Sequence, residues 1–360
     1  MKWTFLSFTI ASSLVFSSVS FAEASAGGRV TIKADGSSTV FLIAEGVAEE
    51  FQKSEKGKTT VTVGSSGTGG GFNKFCGSDA KIRIDVQNAS RPIKDKEIAA
   101  CTKNNVAFYE LPVAYDAIVV ITNPQNDWMK EISIADLKKI WEPAAKGTIM
   151  KWNQVNKAWP DKEIKLYGAG TDSGTFDYFA EAVVGGKATR SDYTASEDDN
   201  TLVTGVSKDR YALGFIPIGY YSQNTNKLKA LNIIGKSGTA VAPSVATVVN
   251  GTYNPLSRPL FIYVNSESYK KPEVNRFVGF FLKNAPQLVE EAKFIPLPAV
   301  AYTMAEKRVS KGKLGSMFSG HAEVGLKIEE LLAREEKGEK DGAMKAGKTA
   351  KKADGKTVNK

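Results

Sequence analysis

Three short segments rich in Ser, Thr and Gly each stand where a strand-like run gives way to a helical one: Gly36-Ser37-Ser38-Thr39, Ser65-Ser66-Gly67-Thr68-Gly69-Gly70-Gly71 and Thr171-Asp172-Ser173-Gly174-Thr175. Loops without bulky side chains let backbone N–H groups approach a ligand closely. The helix N-terminus behind each loop adds about half a positive charge and several unpaired donors. Ser and Thr hydroxyls supply more. Together the segments read as one anion-binding site.

The surrounding periodicity supports an α/β protein with a parallel sheet. Val30 to Lys33 is strand-like, and Val40, Ile43, Ala44, Val47, Ala48 and Phe51 follow at helical spacing. Thr59 to Val63 is a second β-branched strand, leading through the glycines to a helical start at Phe72. Ile82, Ile84 and Val86 alternate with polar residues as a half-buried strand does, and Pro92 places Arg91 at its end. Asp116 to Ile121 is a nearly unbroken apolar run, typical of a strand covered on both faces. Ser133-x-x-Asp136 caps a helix carrying Leu137, Ile140 and Trp141. The strand Ile164 to Tyr167 precedes the third loop, and Phe176, Phe179, Ala180 and Val183 mark the helix after it. Ala212 to Pro217 and Arg258 to Val264 read as strands, the latter followed by an amphipathic helix through Val274, Phe277, Val278, Phe281 and Leu282.

At this point the chain resembles a known family. Asp35-Gly-Ser-Ser-Thr39, Gly64-Ser-Ser-Gly-Thr-Gly-Gly-Gly-Phe72, Ala89-Ser-Arg-Pro92 and Gly170-Thr-Asp-Ser-Gly-Thr-Phe176 occur in the order seen in the periplasmic phosphate-binding protein of the phosphate-specific ABC transporter (PstS family), a type 2 periplasmic binding protein. Tyr253-Asn-Pro-Leu-Ser-Arg-Pro-Leu260 adds to it, and the likeness runs from about Val30 to about Pro298. The resemblance implies two α/β lobes joined by crossings near Val113–Val119 and Pro259–Val264. Lobe I would comprise residues 27–113 and 264–335, and lobe II residues 114–263. It implies inorganic phosphate held between the lobes and passed to membrane permease subunits. Carried over by motif position, the ligand donors are Ser38, Thr39, Thr68, Ser173, Gly174 and Thr175, with Ser66 also in reach.

Two departures matter. Arg91 stands where the family has the Asp of Ala-Ser-Asp, placing the chain in a subgroup with Ala-Ser-Arg-Pro, and Ala169 stands where an Arg precedes the third loop. The missing cation is expected to be supplied by Arg91, whose fork suits a phosphate. The carboxylate that accepts the phosphate's own proton is expected to be Asp116 or Asp172, with Asp198 and Asp199 as further candidates.

Composition sets the remaining bounds. With 360 residues, 42% hydrophobic and 24% charged, the chain has room for two ordinary domains of a soluble protein. Residues 1–22 read as a secretory signal: Lys2, a short Ser-broken apolar run, and Ser20-Phe21-Ala22 before the cleavage point, with Ala24 and Ala26 as alternatives. No Cys follows it to carry a lipid, so a free periplasmic protein, and a monomer, is expected. In an oxidising compartment Cys76 and Cys101 are expected to pair, two buried thiols being the alternative. Two Cys and the single His321 exclude an ordinary zinc site, and no cofactor is called for. Residues 336–360 form a Lys-rich tail expected to be disordered: from Lys337 onward eight lysines face Glu339, Asp341 and Asp354, a surplus of five within a net +9. It is either a solvated extension or a tether to anionic surfaces. Without interleaved aromatics the charge does not point to nucleic acid.

Enzyme readings fare poorly. Gly64 to Gly71 lacks the Gly-Lys-Ser/Thr of a P-loop, a Ser hydrolase has no nearby His, and the ligands of a metal phosphatase are missing. The rivals to a phosphate receptor are a receptor for sulfate, molybdate or phosphonate and, from another class, a phosphate-ester hydrolase.

Overall fold

The computed structural model describes residues 30–317 apart from 172 and 187. The signal segment, Asp172, His321 and the Lys-rich tail lie outside the described residues. The first half contains β1 (Val30–Gly36), α1 (Ser38–Ser54), β2 (Thr59–Val63), α2 (Gly67–Phe75), β3 (Val86–Ala89) and α3 (Asp95–Lys103). The long strand β4 (Phe108–Thr122) leads to a second half with α4 (Ile134–Trp141), β5 (Lys165–Ala169), α5 (Gly174–Phe179, continued as a π turn over Ala180–Val184), β6 (Thr194–Ser196), α6 (Asp199–Lys208) and β7 (Ala212–Pro217). Strand β8 (Ser257–Asn265) returns to the first half, where α7 (Pro272–Glu291) and α8 (Ala299–Ser310) complete the described chain.

The main sheet runs β2-β1-β3-β8-β4-β7-β5-β6. It is not uniformly parallel. β1, β2 and β3 are parallel, as are β5, β6 and β7, and the two blocks are joined through antiparallel pairings of β3, β8, β4 and β7. All fifteen residues of β4 are buried, which explains its unbroken apolar run. Along β4 the partner changes between Ala117, which pairs Ser257 of β8, and Ile118, which pairs Pro217 of β7. The chain thus passes from one half to the other in the middle of a single strand. The return begins where Ile118 N–H donates to Leu256 O at 2.8 Å.

The helices bury the faces that their spacing dictates. Val40, Ile43, Ala44, Val47, Ala48 and Phe51 of α1 are inside, and the Phe51 ring meets Phe277 and Phe280 of α7 edge-on at 5.3 and 5.5 Å. Ser133 caps α4 by accepting the Asp136 N–H at 3.0 Å. Two local expectations differ from the fold. Ile82 is 53% exposed, because residues 80–82 form a turn and the strand begins only at Val86. Helix α2 begins at Gly67, so its glycines are helical. A Cβ on Gly71 would lie 2.0 Å from Gln87 Oε1 and 2.6 Å from Gly36 Cα, so only glycine lets α2 press this closely on the end of β1. Cys76 at the C-terminus of α2 is disulfide-bonded to Cys101 in α3, tying those two helices together.

Candidate functional site

The three loops leave the carboxyl ends of β1, β2 and β5, where ligands gather in open α/β sheets. Loops one and two are joined by Asp35. Its carboxylate accepts from Gly36 N–H (2.6 Å), Ser66 N–H (3.0 Å), the Ser66 hydroxyl (2.8 Å) and Lys74 Nζ. Burial works to raise its pKa, but the bonds from Lys74, Ser66 and Gly36 outweigh it and hold the carboxyl below its ordinary value. The Ser66 hydroxyl is therefore engaged in fixing the loop. The Thr68 hydroxyl sits 3.1 Å from that of Ser90 and accepts the Ser90 N–H, which links loop two to the end of β3.

Loops one and three touch directly. A Cβ on Gly174 would lie 2.0 Å from Thr39 Oγ1, 2.8 Å from Thr39 N and 2.9 Å from Ser38 Oγ, so the first turns of α1 and α5 meet at that glycine. The cap of α1 is Ser37, whose hydroxyl accepts Val40 N–H at 3.4 Å, leaving the Ser38 hydroxyl uncommitted to the cap. Ser173 caps α5, accepting Thr175 N–H at 3.1 Å. The N–H groups of Ser38, Thr39 and Gly174 belong to first turns and have no helical acceptor.

At this junction stands Arg258. It is 7% exposed, lies on β8, and is the cross-strand partner of Asp116 on β4. Its Nε and Nη2 donate to Asp116 Oδ2 at 3.3 and 3.2 Å, while Nη2 also donates to Thr39 Oγ1 (3.1 Å) and Gly174 O (3.2 Å). The guanidinium lies 3.9 Å over the Tyr178 ring of α5. Burial pushes the Asp116 carboxyl above its ordinary range, with Arg258 pulling the other way. Burial likewise pushes the Tyr178 hydroxyl well up. Sequence reasoning had Arg258 in a diagnostic motif without giving it a role. The signal was present: an arginine within a strand as apolar as Pro259 to Val264 is a buried cation that requires a partner.

Arg91 is occupied elsewhere. Its fork closes on Glu97 of α3, with Nη1 to Oε2 at 2.9 Å and Nη2 to Oε1 at 2.8 Å, and it lies 5.8 Å over the Phe72 ring. The structure thus gathers Ser38, Thr39, Gly174, Asp116 and Arg258, and sets Ser66, Thr68 and Arg91 in the supporting contacts of loop two and β3. Asp172 lies outside the described residues. Asp198 caps α6, accepting Asn200 N–H at 2.9 Å. Beside it, burial together with Asp198 and Glu197 pushes Asp199 up to about 7. Both Asn88 side-chain atoms are buried without a partner at the end of β3. Among the described residues no cluster of three His, Cys, Asp or Glu side chains is placed to hold a metal ion, and no helix is long and apolar enough to cross a membrane.

Two half-sheets crossed by β4 and β8, with helix N-termini meeting between them, define a two-lobed fold of the periplasmic-binding-protein class. The profile of the PBP superfamily domain matches residues 22–285. Protein SphX of Synechococcus elongatus is 51% identical over 313 residues, 87% of this chain and 91% of that protein. Phosphate-binding protein PstS of Staphylococcus saprophyticus is 36% identical over 283 residues, 78% of this chain and 85% of its own. The crystal structure of a possible phosphate binding protein from Planctomyces limnophilus superposes with a TM-score of 0.72 at 44% identity, covering 79% of this chain and 98% of that one. The chain belongs to the PBP superfamily and, within it, to the PstS family.

Proposed function

We propose that this protein is a periplasmic receptor that captures inorganic phosphate between its lobes and delivers it to the permease of an ABC transporter, acting as a monomer and without catalysis. One observation carries the reading: the first turns of α1 and α5, from opposite lobes, meet at Gly174 around a buried, Asp-paired arginine. Unpaired helix N–H groups and one cation form a site for a small oxyanion. The names of the PstS and SphX relatives support phosphate as that anion. In this reading Ser38, Thr39, Ser173, Gly174 and Thr175 donate, Thr68 holds loop two to the end of β3 through Ser90, Arg258 supplies the charge expected of Arg91, and Asp116 accepts the proton that phosphate carries near neutral pH and sulfate lacks. Asp172 remains a second candidate acceptor. The test is calorimetry on protein stripped of endogenous ligand. One-to-one binding of phosphate, a raised melting temperature and much weaker sulfate binding are expected. No response at millimolar phosphate would overturn the assignment, and turnover of a phosphomonoester would overturn the non-enzymatic part.

A further inference from the structure

We propose that Arg258 is the latch of the cleft, coupling anion capture to lobe closure; this rests on the receptor reading above. The arginine belongs to neither loop set. It rises from β8, one of the two strands crossing between the lobes, and its cross-strand register with Asp116 fixes its root at the hinge. From there a single nitrogen, Nη2, reaches Thr39 Oγ1 at the start of α1 and Gly174 O at the start of α5. The Tyr178 ring, one turn further along α5, provides the flat surface under the guanidinium at 3.9 Å. Contacts to Thr39 on one side and to Gly174 and Tyr178 on the other coexist only while the lobes are closed. Among the described residues Nη1 has no hydrogen-bond partner, so the fork keeps two N–H donors for a ligand. Asp116 compensates the charge through one oxygen but does not satisfy the fork.

The chemistry follows from that arrangement. A tetrahedral oxyanion at the meeting helix N-termini takes the free donors of Arg258 while the arginine's other nitrogen ties the lobes, so one side chain both binds and closes. Lysine keeps the charge but cannot span both lobes and an anion with a rigid fork. Arg258→Lys should therefore separate the two roles, retaining part of the affinity and losing most of the closure.

The test uses the full chain, with spin labels at Glu49 on α1 and Thr204 on α6, both exposed positions outside the cleft. Label-to-label distances are measured with and without phosphate, and affinity is measured by calorimetry. Wild type should shorten on adding phosphate. R258K should bind at least tenfold more weakly and close incompletely, and R258Q should lose at least 100-fold and not close, from the loss of charge-assisted bonds in a desolvated site. Because R258Q leaves Asp116 buried and unpaired, D116N/R258Q is made alongside it, and the more stable of the two is read. Tyr178→Leu, which removes the flat support and leaves the arginine, should reduce closure. Wild-type distances and affinity in the arginine variants would overturn the latch. If wild type itself fails to bind phosphate, the receptor reading falls separately. The latch is then read from anion-free distances, where the arginine variants must be longer than wild type and equal distances refute it.

Discussion

Gly174→Ala isolates the meeting of the two lobes from everything else in the fold. The backbone at Gly174 is not left-handed, and alanine is the better helix former, so α5 itself loses nothing and its local stability rises by about 0.5 kcal/mol or less. The added methyl, however, would lie 2.0 Å from Thr39 Oγ1 and 2.8 Å from Thr39 N. The hydroxyl can rotate away; the backbone nitrogen moves only with α1. Restoring ordinary van der Waals contact requires the first turns to part by roughly half an ångström or more. That stretches the Arg258 Nη2 bonds to Thr39 and Gly174, now 3.1 and 3.2 Å, beyond useful hydrogen-bond length. An anion shared between the two helices loses one or two charge-assisted bonds at about 1.5–3 kcal/mol each, giving a fall in affinity of about 10-fold for one weak bond and about 10,000-fold or more for two strong ones. Calorimetry with phosphate measures it, and the melting temperature without anion serves as control. Affinity within threefold of wild type would refute the closed junction. A large fall in the anion-free melting temperature would show that the clash lies within a lobe.

Asp116→Asn should weaken phosphate binding and narrow its margin over sulfate, because Asn keeps the shape, donates to an unprotonated oxygen and loses the repulsion; undiminished discrimination would move the acceptor to Asp172, Asp198 or Asp199. Asp199, raised from 3.8 to about 7, favours the fold while protonated. Its contribution is full below the unfolded value near 3.8 and is lost as pH rises through about 7. The shift corresponds to about 4 kcal/mol, cut to about 2 by solvent screening at a partly exposed carboxylate. Asp199→Asn should therefore be more stable than wild type at high pH and equal to it below the unfolded value, as urea midpoints across pH will show; a constant difference would contradict this. Replacing Cys76 and Cys101 together by Ala should lower stability by about 3–4 kcal/mol on the chain-entropy account of a 25-residue separation, read from the urea midpoint. An unchanged midpoint would mean that α2 and α3 hold without the bridge.

Much of this molecule was legible in the sequence because it depends on neighbours in the chain. The buried stripe of α1, the Ser133 cap of α4, the bounds Ala212–Pro217 and the apolar face of α7 follow from helical and strand periodicity, in which a residue's environment is set by residues a few places away. The loops at helix N-termini were legible for the same reason. Where the alternation was short, as at Ile82, the local signal failed, since turn geometry overrode it. The family motifs carried the expectation of the loop donors and of the anion, which is a matter of resemblance and not of periodicity.

What only the tertiary structure decided is which arginine stands where α1 and α5 meet. Arg91 and Arg258 are equivalent as letters, each beside a proline in a family motif. Arg91 is claimed by Glu97, six residues on, with whose carboxylate it forms a closed two-bond fork. Arg258 reaches the junction because the register of β8 on β4 sets it opposite Asp116, which is 142 residues away, and because β4 changes partners one residue after Ala117. Register between strands so distant in the chain is fixed by the packing of both lobes, and local sequence carries no record of it.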